Sequence, residues 1–154
     1  MSKMTSRHEY TIQKKLYTLF PKYIPKPLGY YKGGIMKSKK CGVSLKKWMS
    51  SRACISTRLV NQITRNVRLI LEKIRRRYPG FRHMDLHIGN VLFNKGRIMI
   101  IDFGLSKMNA PKVCPCKDMN IFIKSMRKFL KRRKGQKKVG EESAASIAKR
   151  LTQR

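Results

Sequence analysis

Acidic side chains are the scarcest feature of this 154-residue sequence, which has 7 Asp and Glu residues against 38 Lys and Arg residues. The formal net charge is +31 with neutral histidines. Because such a charge attracts polyanions, nucleic acid, an anionic membrane surface or a packaged particle would each suit it as a partner. No nucleic-acid recognition motif accompanies the charge, so a basic accessory surface on a domain with another role is an equal alternative.

Cysteine motifs and long apolar runs are also lacking. The cysteines are Cys41, Cys54, Cys114 and Cys116, whose spacing matches neither a paired zinc motif nor a regular disulfide framework, and we interpret them as reduced thiols. The longest apolar runs span only a few residues, such as 98–101. We therefore expect no membrane span, no secretion, and an intracellular location in the cytoplasm or nucleus.

The hydrophobic content, 41% of residues, predicts a single domain with a modest core of its own. We place this domain at residues 1–130 and a basic carboxy-terminal tail at 131–154. The tail opens with the basic block 131–138, which is typical of a solvated, mobile segment or of a nuclear or nucleic-acid address, and 144–151 predicts a weak terminal helix.

The amino-terminal third predicts a helix followed by a hairpin. Ser6 and Glu9 have the spacing of a capping box, and apolar residues then recur at helical intervals, so a helix is expected over about 7–20. Prolines end it. Short strands at 28–31 and 35–36 flank a turn at Gly33-Gly34.

The middle of the chain predicts two helices with identifiable caps. Ser44 is expected to cap a short helix through Met49, and Ser56 or Thr57 to open a longer one. An apolar stripe defines the longer helix, and its members are Leu59, Val60, Ile63, Val67, Ile70, Leu71, Ile74 and Tyr78. Pro79-Gly80 ends it, and 119–130 predicts a further amphipathic helix.

Two polar loops on either side of a predicted hairpin contain the residues suited to phosphoryl transfer. An antiparallel hairpin over 91–101 brings Asn90 and Asp102 together at its open end, with Asp85 on the same loop as Asn90. A carboxylate that orients an attacking hydroxyl and oxygen ligands for magnesium are the minimal parts of that chemistry. Alternatively, Asp85 and Asn90 cap a turn and Asp102 merely ends a strand, although chance placement is improbable with only 7 acids in the chain.

Both loops resemble the signature segments of protein kinases. The run His-Met-Asp-Leu-His-Ile-Gly-Asn at 83–90 resembles their catalytic loop with Met84 in place of the usual arginine, and Ile-Asp-Phe-Gly at 101–104 resembles their magnesium-binding segment. The resemblance extends over roughly residues 5–130. It implies an α+β, protein-kinase-like fold with a mainly helical large lobe and a reduced hairpin remnant of the small lobe.

The resemblance also implies site residues and cofactors. Asp85 would be the catalytic residue, Asn90 and Asp102 would bind Mg²⁺, and Met36 and Cys41, at the hinge between the lobes, would join them in binding ATP. In its missing arginine and in the short run after Gly104, the sequence is similar to compact atypical kinases. These include the RIO group and the small kinase of the tRNA-modifying KEOPS complex. Large DNA viruses often encode truncated proteins of this kind, which extends the expected locations to a host cell or virion.

Departures from the kinase pattern concern the small lobe. No glycine-rich loop precedes the first helix, and too few residues stand before Glu9 for the strands and the phosphate-pairing lysine that belong there. Glu9 lies where the resemblance places the glutamate that pairs with that lysine, but we favour the capping role. Asp118 is similar to an acidic residue that starts a helix after the magnesium segment, and it is either active-site support or a simple N-cap.

Three functions follow from these patterns. The first is a serine/threonine-type protein kinase acting on a protein substrate, with its small lobe completed by another chain if needed. The second is a kinase-like regulatory protein that binds a partner kinase without turnover. The third is a basic nucleic-acid-associated protein that binds through its surface and tail.

Overall fold

A computed structural model of the chain describes residues 2–31, 35–39, 41–111 and 117–151. Within these residues the elements, in chain order, are α1 (Ser2–Leu19), β1 (Pro27–Tyr31), β2 (Ile35–Ser38), β3 (Val43–Ser44), α2 (Leu45–Ser50), α3 (Thr57–Arg77), β4 (Val91–Asn94), β5 (Arg97–Ile100) and α4 (Asp118–Leu151). Helices combined with small antiparallel sheets confirm the α+β class. Cys41 and Cys54 are free thiols, whereas Cys114, Cys116 and the turn at Gly33-Gly34 lie outside the described residues.

The first helix begins earlier than the capping pattern predicted. It starts at Ser2, so Ser6 lies inside it and has helical residues on both sides. The capping box of Ser6 and Glu9 is therefore wrong, because a cap residue must stand outside the helical turn whose N–H groups it binds. No proline or glycine interrupts residues 2–19, so nothing in the sequence stops the helix from extending toward the amino terminus.

The predicted hairpin is confirmed as an antiparallel pair of β1 and β2, in which Tyr31 is opposite Ile35 and Tyr30 is opposite Met36. Helix α1 packs against both strands. Its Gln13 side chain, which is buried, donates a 2.9 Å hydrogen bond to the carbonyl of Pro25 and so fixes the connection between helix and hairpin.

Both predicted serine caps are confirmed. The Ser44 hydroxyl accepts a hydrogen bond from the backbone of Lys47 at the start of α2, and the Ser56 hydroxyl accepts one from Leu59 at the start of α3. The apolar stripe of α3 forms the centre of the core through five buried members, Ile63, Val67, Ile70, Leu71 and Ile74.

A second sheet of three strands has the order β3-β4-β5. The predicted hairpin of β4 and β5 is present, and its turn places Lys95 at φ 47° and Gly96 at φ 83°. A glycine suits this left-handed conformation because it has no Cβ to clash with the backbone. Strand β3 was not predicted, since two residues are too short to leave a periodic pattern.

The last helix is longer than expected. It continues from Asp118 to Leu151, whereas the sequence predicted a helix to about residue 130 and a separate, weak terminal helix. Beyond residue 130, Arg133 donates hydrogen bonds to the carbonyls of Met49, Arg52 and Ala53, which link this helix to the end of α2. The domain boundary at residue 130 stays a prediction. Among the described residues, no helix has the length and apolar character needed to cross a membrane.

Candidate active site

The loop between α3 and β4 holds Asp85 and Asn90 side by side. The amide nitrogen of Asn90 donates to the Asp85 carbonyl at 2.9 Å and lies 3.4 Å from the Asp85 carboxylate oxygen Oδ2. Asn90 is buried, whereas 40% of the Asp85 side chain is exposed. Since both bonds use the amide nitrogen of Asn90, its amide oxygen is the atom that suits a metal ion.

His87 joins this pair, although no sequence pattern distinguished it. Its Nε2 lies 3.6 Å from Asp85 Oδ2, and its Nδ1 accepts a 3.0 Å hydrogen bond from the backbone of Gly89. An accepting Nδ1 means that neutral His87 carries its proton on Nε2, toward Asp85. The aspartate therefore has a polar or cationic neighbour besides Asn90, and both approach the same carboxylate oxygen.

Asp102 reaches the same place from the end of β5. The backbone N–H of Ile101 donates to the Asn90 carbonyl at 3.0 Å, which closes the hairpin and joins the two loops. Asp102 itself is exposed and has φ 65°, an unusual conformation for a residue with a side chain. The structure thus gathers Asp85, Asn90 and Asp102 at the open end of one hairpin, as the spacing predicted.

A buried histidine holds the two loops together from beneath. His83 Nε2 lies 3.0 Å from the carbonyl of Ile101, and its ring centroid is 5.3 Å from that of Phe103. Burial lowers the pKa of His83, and the hydrogen bond to Ile101 and the nearby carboxylates oppose that shift only in part. A neutral imidazole is the form that suits this apolar position.

Asp118 supports the catalytic loop from the start of α4. Its buried carboxylate accepts 3.0 Å hydrogen bonds from the backbone N–H groups of His83 and Met84, and it pairs with Arg75 at 2.7 Å. Met84 has φ 70°, so these bonds hold a strained turn in place. Of the two alternatives for Asp118, the structure favours support of the loop over a simple N-cap, because its carboxylate binds the backbone of the loop that contains Asp85.

Glu9 also belongs to the site, which corrects the capping interpretation. The backbone N–H of Phe103 hydrogen-bonds its carboxylate, and burial followed by the charge of Asp102 raises the pKa of Glu9. One residue earlier on α1, His8 Nε2 lies 2.8 Å from the carbonyl of Ser106. Helix α1 therefore contacts the loop that follows β5 at two points, through Glu9 and His8.

The proposed hinge residues lie on the β1–β2 hairpin and on the connection that follows it. Met36 lies on β2 opposite Tyr30, and Cys41 follows on the connection to β3, with both side chains half-buried. The hydrogen bonds of the described residues do not link either side chain to Asp85, Asn90 or Asp102. Their part in nucleotide binding stays a prediction.

The oxygen ligands at the open end of the β4–β5 hairpin meet the requirements of one kind of metal ion. In the described part of the chain, no cluster of three or more His, Cys, Asp or Glu side chains could hold a metal by itself. The candidate ligands are therefore one carboxylate, that of Asp102, and one amide oxygen, that of Asn90. This set fits Mg²⁺, which usually takes one or two protein ligands and completes its shell with water and substrate phosphates.

Comparison with known proteins gives one family. The family model of the APH phosphotransferase enzyme family matches residues 21–111, which is more than half of the chain. No curated protein matches the sequence. The matched segment contains the hairpin, α3, both loops and the β4–β5 pair, so it includes Asp85, Asn90 and Asp102. Kinship with the RIO group or with the KEOPS kinase stays a prediction. This chain belongs to the APH phosphotransferase family, within the protein-kinase-like superfamily, and its fold is a reduced kinase-like fold.

Proposed function

We propose that this protein is an ATP-dependent phosphotransferase of the serine/threonine protein kinase type. One observation supports this most strongly, namely the group formed by Asp85, Asn90 and Asp102 at the open end of the β4–β5 hairpin. Membership of a phosphotransferase family supports the class of reaction, and the group supplies the residue types that this reaction requires.

Asp85 would orient the attacking hydroxyl of the acceptor and accept its proton. Its partial exposure leaves it accessible to a substrate, while Asn90 and the backbone of its own loop fix its position. His87 Nε2 lies 3.6 Å from Asp85 Oδ2 and would help to hold the carboxylate in place.

Asn90 and Asp102 would hold Mg²⁺, and Met36 and Cys41 would contact the nucleotide. The ion, when bound, supplies positive charge that offsets the charge of the transferred phosphoryl group. Asp102 would present its carboxylate from a backbone held by the β5 ladder, and Glu9 would hold the following residue, Phe103, through its backbone N–H. A preorganised ligand costs no rearrangement during reaction.

The proposal is tested by transfer of labelled γ-phosphate from magnesium-ATP to a generic protein acceptor or to the chain itself. Asp85→Asn and Asp102→Asn should each reduce the rate on the order of a hundredfold or more. Glu72→Gln is the matched control, because it removes an exposed carboxylate on α3 outside this site. Equal transfer in the wild type and all three variants would contradict the proposal.

A second candidate is a regulatory protein that binds a partner kinase without turnover. The part of the chain that corresponds to the small lobe favours this function. The described residues before α2 form one helix, one two-stranded hairpin and the short strand β3. No glycine-rich loop occurs in the sequence. A stable complex with an intact kinase that persists in Asp102→Asn would favour this function. Transfer that appears only when a second chain is added would instead indicate that the small lobe is completed by that chain.

A further inference from the structure

A groove on the molecule lies between α3 and the β4–β5 turn, and it is independent of the proposed reaction. It has a volume of ≈ 570 Å³. The segment after α1 lines it with Lys22 and Tyr23, α3 with Asn66 and Lys73, and β5 with Arg97, and the remaining lining residues are Leu69, Ile70, Gly96 and Ile98. We call this surface the basic groove.

The charge of the basic groove has one sign. Three of its lining residues, Lys22, Lys73 and Arg97, are cationic, and no Asp or Glu lines it among the residues that the structure describes. A neighbouring depression shares Lys73 and adds Arg76 and Arg77. Together they form a continuous track of positive charge along one side of α3.

One cation of the groove has a fixed position. The ammonium of Lys73 donates a 2.8 Å hydrogen bond to the hydroxyl of Tyr23 and lies 5.0 Å from the centroid of the same ring. Tyr23 is itself anchored, since its carbonyl accepts a 2.9 Å hydrogen bond from the backbone of Ile100. Asn66, beside it, offers an amide that can donate to a phosphate oxygen.

The groove and the active site lie at opposite ends of one strand. Arg97 begins β5 and Asp102 follows its end, so their backbones are about 16 Å apart at the usual rise of a strand. A ligand in the groove would therefore not occupy the site of Asp85 and Asp102.

We propose that the basic groove binds the phosphodiester backbone of a nucleic acid. A groove lined by cations suits a narrow, linear polyanion, whose phosphates can enter it. A bilayer surface is broad and flat, whereas the groove is a concave site of ≈ 570 Å³. The contacts are with phosphates, so the binding is expected to tolerate any base sequence.

The test measures binding of the full chain to a fluorescent single-stranded RNA of mixed sequence over a series of salt concentrations. The triple variant Lys22→Gln, Lys73→Gln, Arg97→Gln is compared with a control that loses equal charge from exposed positions of α4, namely Lys124→Gln, Arg127→Gln, Lys128→Gln. The groove variant should make the slope of log affinity against log salt shallower by about 2, and the control should change it by less than half as much.

Two results would overturn the proposal. Equal losses in the two variants would mean that the net charge, and not the groove, attracts RNA. The second result is competition by vesicles of phosphatidylserine and phosphatidylcholine. If these vesicles displace the RNA, and if their binding also depends on the groove residues, the groove binds a membrane. Phosphate transfer should be unchanged in the groove variant, which separates failure of this proposal from failure of the proposed function.

Discussion

The loops around Asp85 and Asp102 and the basic groove use charge in opposite ways. Four of the 7 acidic residues, Glu9, Asp85, Asp102 and Asp118, lie in or against the two loops, whereas the groove is lined by three cations and by no acid of the described chain. In a chain of charge +31, most of the carboxylates are therefore concentrated at the two loops. Glu72, exposed on α3, is the natural reference residue for that comparison.

The largest effect on stability is expected from Asp118. Asp118→Ala should lower the free energy of unfolding by about 3 kcal/mol, because it leaves Arg75 without its carboxylate and frees two backbone N–H groups beneath the catalytic loop. Urea unfolding gives the value, and Asp118→Asn provides a milder variant. Glu72→Ala should change the same free energy by no more than about 0.5 kcal/mol. Similar losses of unfolding free energy in Asp118→Ala and Glu72→Ala would contradict the difference between acids at the loops and acids elsewhere.

Arg133 provides the corresponding comparison between two cations. Arg133→Ala should lower the free energy of unfolding by about 1.5 kcal/mol, because the guanidinium of Arg133 donates to the carbonyls of Met49, Arg52 and Ala53. The adjacent Arg132 is exposed, and Arg132→Ala should have little effect on the thermal midpoint. If the two variants have the same thermal midpoint, the link between α4 and the end of α2 does not stabilise the fold.

Glu9 gives a pH dependence that is confined to the acidic region. Since burial and Asp102 raise the pKa of Glu9 above 4.5, its favourable contribution is fully present below its unfolded pKa and is lost as the pH rises through its folded pKa. Glu9→Gln should therefore gain stability relative to the wild type as the pH increases from 4 toward neutrality.

Thermal unfolding at several pH values measures this gain. In an Asp102→Asn background the gain should shrink, because one of the two causes of the raised pKa has been removed. A difference between Glu9→Gln and the wild type that does not change with pH would contradict the placement of Glu9 against Asp102.

The smallest effect concerns the titration of His83. Burial lowers its pKa, so the imidazole of the folded protein should titrate below 6.5, whereas the urea-unfolded chain should titrate near the ordinary value. The associated stability is present above the unfolded pKa and is lost as the pH falls through the folded one. Histidine-selective NMR measures the midpoint directly. A midpoint at or above 6.5 would show that His83 is hydrated or paired with a carboxylate.

Much of the local structure could be predicted from the sequence. Ser44 and Ser56 cap the helices they precede, and the strands around Gly96 form the expected hairpin. These features depend on residues a few positions apart, so a single sequence contains the information. The start of α1 was missed because the Ser6 and Glu9 pattern is also compatible with the middle of a helix.

The grouping of the candidate site residues was predicted in part. Asp85, Asn90 and Asp102 could be found because one hairpin joins them. The roles of Glu9, His87 and Asp118 were missed or left open, although the scarcity of acids was a usable signal for Glu9 and Asp118. Asp118 meets its backbone partners 34 and 35 positions away, and no short-range pattern encodes such a contact.

The sequence by itself determined the charge, the serine caps of α2 and α3, the apolar stripe of α3 and the loop residues that we propose for phosphoryl transfer, since each depends on composition or near-neighbour spacing. Only the tertiary structure decided which acids support the loops and where the cations form a groove. Glu9 approaches Phe103, and Lys22 and Arg97 approach Lys73, only because packing of the core brings distant segments together. Burial then raises the pKa of Glu9 and lowers that of His83, because desolvation depends on what surrounds a group in space.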